Sequence, residues 1–318
     1  ACPPGRPDTS QDSDEKVYLE FPGEMAKLID GVTDDLPIGQ TYAIAQDSVT
    51  RRKQIVSTDS DLLTPAEIKE HRNDVLEAQR LELATWHTHD CFERRPRKHA
   101  RNVIDCRWVL KWKVVVEANG TRRTIRARLT VRGFKDRDAA SLESYAGTST
   151  RWSQRLVASQ AVLRQWRIVS ADVAKAFLQG VSYEELARIT GKPLREVCFE
   201  LPASCVHLLR TLLGYADFNP AEEVLACTKP GTGLRDAPKA FGMELRQVTR
   251  DDCGLRSVSA DSELEVLRTD GLPVLVLAKH VDDLEIAGAE ETTKWIISKL
   301  EAVFGKLTVQ WDLFTNCG

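Results

Sequence analysis

Hydrophobic and polar positions change their period several times along the chain, and each change marks an element. Thr64-Pro65-Ala66-Glu67 reads as a helix start, with Thr64 as N-cap, Pro65 at the first helical position and Glu67 closing a capping box. The helix runs to about Trp86. Two alternating segments, 107–117 and 122–132, then predict a hairpin through Asn119-Gly120, a pair that accepts the positive φ angles of a tight turn. One face of it collects Trp108, Leu110, Trp112, Val114 and Val116 with Ile125, Ala127, Leu129 and Val131. The other carries Lys111, Lys113, Arg126, Arg128 and Arg132. A helix over 151–166 precedes a short buried strand, 167–172, that delivers Asp172 at its end. Residues 181–226 yield only two helical pieces, around 183–188 and 206–213. A second hairpin joins 272–278 to 284–288 through Lys279-His280-Val281-Asp282-Asp283, which puts adjacent carboxylates at its tip. An amphipathic helix over 291–304 stops at Gly305, and 307–311 is strand-like.

Composition adds an asymmetry to this pattern. The 318 residues, 42% hydrophobic and 29% charged, suffice for one large fold or roughly two domains with a buried core. The net charge of -3 hides a basic stretch: residues 93–137 carry fifteen Lys or Arg against four Asp or Glu, whereas the first 70 or so are acidic. Residues 1–62 mix Pro, Gly, Ser and Asp with short apolar patches such as Val17-Tyr18-Leu19 and read as a linker or partly ordered arm, leaving 63–318 as the folded region. No run approaches the roughly eighteen apolar residues that cross a bilayer, and Ala1-Cys2-Pro3-Pro4-Gly5 opens no signal-peptide core. An intracellular location, cytoplasmic or nuclear, is the expectation. Eight cysteines without a CxxC pair predict buried, reduced thiols rather than a zinc knuckle or disulfide framework.

Three groups are candidates for chemistry. A charged strand face is ordinarily only solvated, but Lys and Arg without interleaved acids favour a phosphate-facing surface. Asp282-Asp283 would be unremarkable in a turn. Its flanks, Val274-Leu275-Val276-Leu277 and Leu284-Glu285-Ile286-Ala287, are apolar, and burial penalises paired carboxylates that lack a cation. Hard Mg²⁺ takes oxygen ligands, and two such ions about 3.5–4 Å apart hold the attacking and leaving oxygens of a phosphoryl transfer. A third carboxylate from another strand is then required, and Asp172 is the candidate. His87, His89 and Cys91 have an alternate spacing that suits zinc on one side of a strand, but no fourth ligand accompanies them, since Asp90 and His99 fit no zinc spacing. The seven tryptophans mostly have apolar neighbours at helix or strand spacing, which favours core packing over base stacking.

Four segments in order carry a family resemblance. Ser170-Ala171-Asp172-Val173-Ala174-Lys175-Ala176-Phe177-Leu178-Gln179-Gly180 resembles the D-V-x-x-A-F-L-x-G motif of copia-type reverse transcriptases, and His280-Val281-Asp282-Asp283-Leu284 their aromatic-V-D-D-L motif. Arg107-Trp108-Val109-Leu110-Lys111-Trp112-Lys113 with Arg126-Ala127-Arg128-Leu129-Thr130-Val131-Arg132-Gly133-Phe134 is similar to the family's W-V-x-K-x-K and K-A-R-L-V-A-R-G-F segment. Gly233-Leu234-Arg235-Asp236-Ala237-Pro238-Lys239-Ala240-Phe241 is similar to G-L-K-Q-A-P-R-A-W. The resemblance spans about 107–318. It implies an α+β right-hand polymerase fold of fingers and palm with a truncated thumb. It further implies an RNA-directed DNA polymerase with two Mg²⁺ ions, or Mn²⁺ in their place, acting on a deoxynucleoside triphosphate with an RNA or DNA template and primer. The wider setting is a retrotransposon polyprotein with integrase and ribonuclease H. Asp172 and Asp282 are then the metal ligands with Asp283 beside them, and Phe177 is the aromatic residue that blocks a ribose 2′-hydroxyl. Lys111, Lys113, Arg126 and Arg128 contact triphosphate or template, and Gly233, Ala237 and Pro238 lie at the substrate. Two departures stand out: His280 where the family has Tyr or Phe, which bears on the primer end, and Asp236 where it has Gln, a charge expected near the template or nucleotide. The competing reading is a catalytically impaired nucleic-acid-binding remnant.

Overall fold

The computed structural model describes residues 42–46, 53–58, 61–117, 120–142 and 147–312. The chain divides into two units, Ala1–Thr64 and Pro65–Gly318. In the first, β1 (Tyr42–Gln46) and β2 (Lys53–Thr58) pair antiparallel with a register shift after Ala43. The sequence pattern assigns this segment to a linker or partly ordered arm, and the strand pair is a departure from it. Val17-Tyr18-Leu19 lies outside the described residues.

The second unit opens with α1 (Pro65–Glu70) and α2 (Arg72–Thr88), followed by β3 (Phe92–Pro96). The two helices are one expected helix interrupted at His71. His71 N still donates to the Glu67 carbonyl at 2.8 Å, and its ring stands edge-on to Trp112 at 5.1 Å. The long hairpin forms as β4 (Val103–Glu117) and β5 (Gly120–Val131), with Glu117 opposite Gly120, so its connection is 118–119, outside the described residues. Next come α3 (Arg151–Arg164), capped by the Thr150 side chain, and β6 (Arg167–Asp172). α3 stops two residues before Trp166 because Gln165 turns left-handed at φ 55°. Then follow α4 (Tyr183–Thr190), β7 (Cys198–Glu200), α5 (Val206–Leu209), β8 (Glu223–Cys227) and α6 (Ala237–Gln247), which continues as a π-helical turn over Val248–Asp252. The unit closes with β9 (Arg256–Val258), β10 (Asp261–Thr269), β11 (Leu272–His280), β12 (Asp283–Gly288), α7 (Glu290–Phe304) and β13 (Thr308–Trp311).

Two sheets result, one in the order β3-β8-β7-β4-β5, the other β13-β6-β12-β11-β10-β9. The second is covered on both faces, as period-two alternation dictates. Leu275, Leu277, Leu284 and Ile286 pack with Phe241 of α6 and Ile296, Leu300 and Phe304 of α7. Val276, Ala278 and Ala287 point the other way, onto Val157 and Ala161 of α3. The base of the β4–β5 hairpin contributes Leu129 and Val131 to a separate core built around Trp86, Phe199 and Leu225, as its apolar face predicts. Val114, farther out on that face, is exposed.

β10 escaped the sequence reading for a physical reason. Its inward positions include Glu263 and Glu265, both buried, which reads as a solvated strand until their partners arrive from elsewhere. Those partners are Lys279, Arg246 and Arg250. The six described cysteines are free and buried, as expected.

Candidate active site

The second sheet brings the three acids together through its ladder. β12 pairs antiparallel with β6 so that Asp283 lies directly opposite Asp172. β11 and β12 meet at His280 opposite Asp283, which leaves a two-residue turn, Val281-Asp282, where the sequence reading allowed five. Val281 sits at φ 60°, a left-handed conformation costly for a β-branched residue and usually taken by Gly at the first position of such turns. The turn is held from both sides: Val281 N donates to the Gly147 carbonyl and the Asp282 carbonyl accepts from Val173 N, each at 3.3 Å. Asp282 is thereby tied to the residue that follows Asp172.

The electrostatics at Asp172 and Asp282 are those of crowded, partly buried acids. Burial pushes the Asp172 carboxyl up, the nearby Asp283 pushes it further, and Arg126 opposes. Asp282 is also raised, by burial and then by Asp283 and Asp172, against its own backbone N–H and Arg128. Arg126 and Arg128 are exposed side chains on the basic face of β5, and their charge is felt at Asp172 and Asp282 respectively. Lys111 is the cross-strand partner of Arg126, and Lys113 lies one step nearer the turn, opposite Thr124. Arg132 is drawn elsewhere, onto Asp105 at 3.1 Å.

The donor chemistry suits a hard divalent ion: three carboxylates, two of them destabilised as anions in a way that a cation relieves. Their backbones are in register, yet among the described residues no three His, Cys, Asp or Glu side chains already converge as a metal-holding group. That holds equally for His87, His89 and Cys91. His87 instead packs edge-on against Tyr215 at 5.6 Å, and Cys91 is buried with its thiol pushed up to about 12.

No family model matches the chain. Over 187 residues, 58% of the chain, it is 28% identical to the retrovirus-related Pol polyprotein from transposon RE2 of Arabidopsis thaliana. Over 191 residues, 60% of the chain, it is 28% identical to that from transposon RE1 of the same plant. The chain is similar to retrotransposon Pol polyproteins. It spans about a tenth of those relatives, 11% of each.

Other candidate residues of this Pol-like chain have more structural duties. Phe177 is half-buried in a short 3-10 turn, Ala176–Leu178, against the core beneath the acids. Gly233 has φ 97°, and a Cβ there would stand 2.2 Å from the Val131 carbonyl oxygen. A Cβ on Gly133 would in turn meet the Gly233 carbonyl oxygen at 2.3 Å. Two matched glycines are therefore where the hairpin base and the approach to α6 touch backbone to backbone. Ala237 is buried at the start of α6, with Pro238 beside it.

Asp236 corrects an expectation. It does not face a nucleotide surface but is buried, with Arg195 Nε 3.3 Å from its carboxylate. Arg195 also bonds Asp136 at 2.6 Å, and Asn102 donates to Asp136 at 2.9 Å. Burial pushes Asp236 up despite Arg195. Burial works on Asp136 too, but the bonds from Asn102, Asp138 N and Arg195 hold it below the usual carboxylate range.

Proposed function

We propose that this chain is the RNA-directed DNA polymerase region of a retrotransposon Pol polyprotein, with the β13–β9 sheet as palm and the β4–β5 hairpin as fingers of a right-hand fold. The observation that carries the reading is that three of the four motif segments meet: Asp172 and Asp283 opposite each other, Asp282 in the adjoining turn, and Arg126 and Arg128 within electrostatic reach. In the reaction, the primer 3′-hydroxyl attacks the α-phosphate of a deoxynucleoside triphosphate and pyrophosphate leaves.

Asp172 and Asp282 would hold Mg²⁺ or Mn²⁺, with Asp283 supporting. When bound, such ions lower the pKa of the attacking hydroxyl and neutralise charge on the leaving group. Arg126 and Arg128 hold the triphosphate through charge-assisted hydrogen bonds and balance the carboxylates across the cleft. Phe177, on the turn after Asp172, blocks a 2′-hydroxyl and selects deoxynucleotides. The buried β6–β12 ladder fixes the acids, so no large rearrangement of the sheet accompanies the chemistry.

The test is primer extension on poly(rA) with oligo(dT), Mg²⁺ or Mn²⁺ and labelled dTTP, alongside Asp282→Asn/Asp283→Asn and with filter binding on the same samples. Metal-dependent extension that the variant loses supports the reading. Template binding without extension in the parent chain points instead to the impaired remnant, and neither binding nor extension rejects both.

A further inference from the structure

A single carboxylate that matches none of the four motifs connects the two halves of the proposed site. Glu82 lies in α2 and is buried, 3% exposed. Its Oε1 accepts from Trp86 Nε1 and from the backbone N–H of Leu129 in β5, each at 3.3 Å. Its Oε2 accepts from Lys175 Nζ. Leu129 adjoins Arg128 and is three residues from Arg126, whereas Lys175 lies three residues after Asp172 and two before Phe177. Lys175 sits at φ 57°, left-handed for a residue with a side chain, at the start of the 3-10 turn that carries Phe177.

β5 is an edge strand, paired on one side only by β4. The Leu129 N–H faces away from β4 and would otherwise be an orphan donor. One anion therefore satisfies one donor on the open edge of the strand bearing the arginines and the cation of the loop bearing Asp172 and Phe177. Buried, it can release neither without being left partly unpaired.

We propose that Glu82 is a positioning residue that sets the separation of Arg126 and Arg128 from the carboxylate cluster, and so governs triphosphate binding rather than the chemical step. The inference rests on the polymerase reading. Glu82→Gln keeps an acceptor for Leu129 and Trp86 but discards the charge that holds Lys175. Lys175→Met removes the same link from its half-exposed end, and Lys175→Arg preserves it.

The experiment measures equilibrium binding of dTTP, by displacement of a fluorescent dTTP analogue with and without Mg²⁺, together with melting temperature and the steady-state constants of primer extension. The expected result is a dTTP Kd and KM raised about tenfold in Glu82→Gln and Lys175→Met, with kcat near the parent value and Lys175→Arg close to the parent chain. Folded Glu82→Gln and Lys175→Met proteins that bind dTTP as the parent does overturn the proposal. So does a fall in kcat at unchanged KM. If Glu82→Gln fails to fold, Lys175→Met decides between the same outcomes. A parent chain that binds no dTTP defeats the polymerase reading itself, which is a different result from a parent that binds and variants that bind equally.

Discussion

The β13–β9 sheet holds two clusters of carboxylates that have been treated oppositely. On its β10 side, Glu265 meets Lys279 at 2.7 Å and Arg250 at 2.9 Å, while Glu263 is bonded to Arg246 and lies 3.5 Å from Lys279. Every charge there is answered from within the fold. At the β6 and β12 ends, Asp172 and Asp282 have no cation at ion-pair distance among the described residues, only the more distant fields of Arg126 and Arg128. Lys279 is three residues from Asp282, so the difference is not one of region. A fold able to neutralise two buried glutamates has left two nearby aspartates destabilised as anions, which is the arrangement of a site whose counter-ion comes from outside.

The sharpest way to break this comparison is to remove charge from each cluster in turn. Asn at Asp172 or Asp282 should lower primer extension by about 10²–10³-fold or more, the scale of losing a group that stabilises transition-state charge, with the fold intact. Extension that survives either change refutes the site. In the other cluster, Lys279→Met leaves Glu265 and Glu263 short of a cation and should cost about 3–5 kcal/mol in denaturant unfolding. A loss below about 1 kcal/mol would mean that Arg246 and Arg250 suffice.

Metal comes next. Mg²⁺ at about 10–100 times its Kd should raise the melting temperature of the parent chain by about 3–10 °C and do less for Asp172→Asn/Asp282→Asn, as linkage requires. An equal rise in both proteins would place the ion elsewhere.

The pH dependence is smaller. Asp172 and Asp282 have folded pKa values above their unfolded ones, so the folded state binds more protons between the two and metal-free stability falls as pH rises through that window. Their ionised forms cost the most above it. Solvent still reaches both groups, so the neutralised double variant should be more stable near neutral pH by only about 1 kcal/mol, and the two proteins should converge on acidification below the unfolded carboxylate pKa. A gap that widens toward acid would reverse the sign and contradict the raised values. Smallest is Val281→Gly: relief of the left-handed strain, about 1–2 kcal/mol, is about half offset by the freedom glycine adds to the unfolded chain, leaving a gain of about 0.5–1 kcal/mol by thermal melting. Loss of stability there would show that the valine side chain packs better than its backbone suggests.

Much of this was legible in sequence wherever a segment obeyed one period. The 167–172 strand, the alternation of 107–116 and the apolar stripe of 291–304 appear as β6, β4 and α7. Adjacent acids between apolar runs pointed to the candidate site, and the lack of interleaved acids pointed to Arg126 and Arg128 as candidates. What resisted reading depends on partners distant in sequence. β10 hides behind buried glutamates, and β7 is three residues long, too short for any period. Asp236 looked like a surface charge because Arg195 is 41 residues away and nothing local announces the pair. Glu82 belongs to the same class, an ordinary helical glutamate until α2 is laid against β5.

The open side of β5 also bears on self-association. A long, flat edge strand is a template on which another chain can add. Near its base that template is already consumed, since Glu82 takes the Leu129 N–H and the Thr232 carbonyl takes the Val131 N–H at 2.9 Å. Toward the turn the strand carries Arg122, Arg123, Arg126 and Arg128 in place of such plugs, and an incoming copy of the same strand would bring the same positive charges against them. The side chains proposed to attract a polyanion would thus also oppose addition of a second copy along this edge.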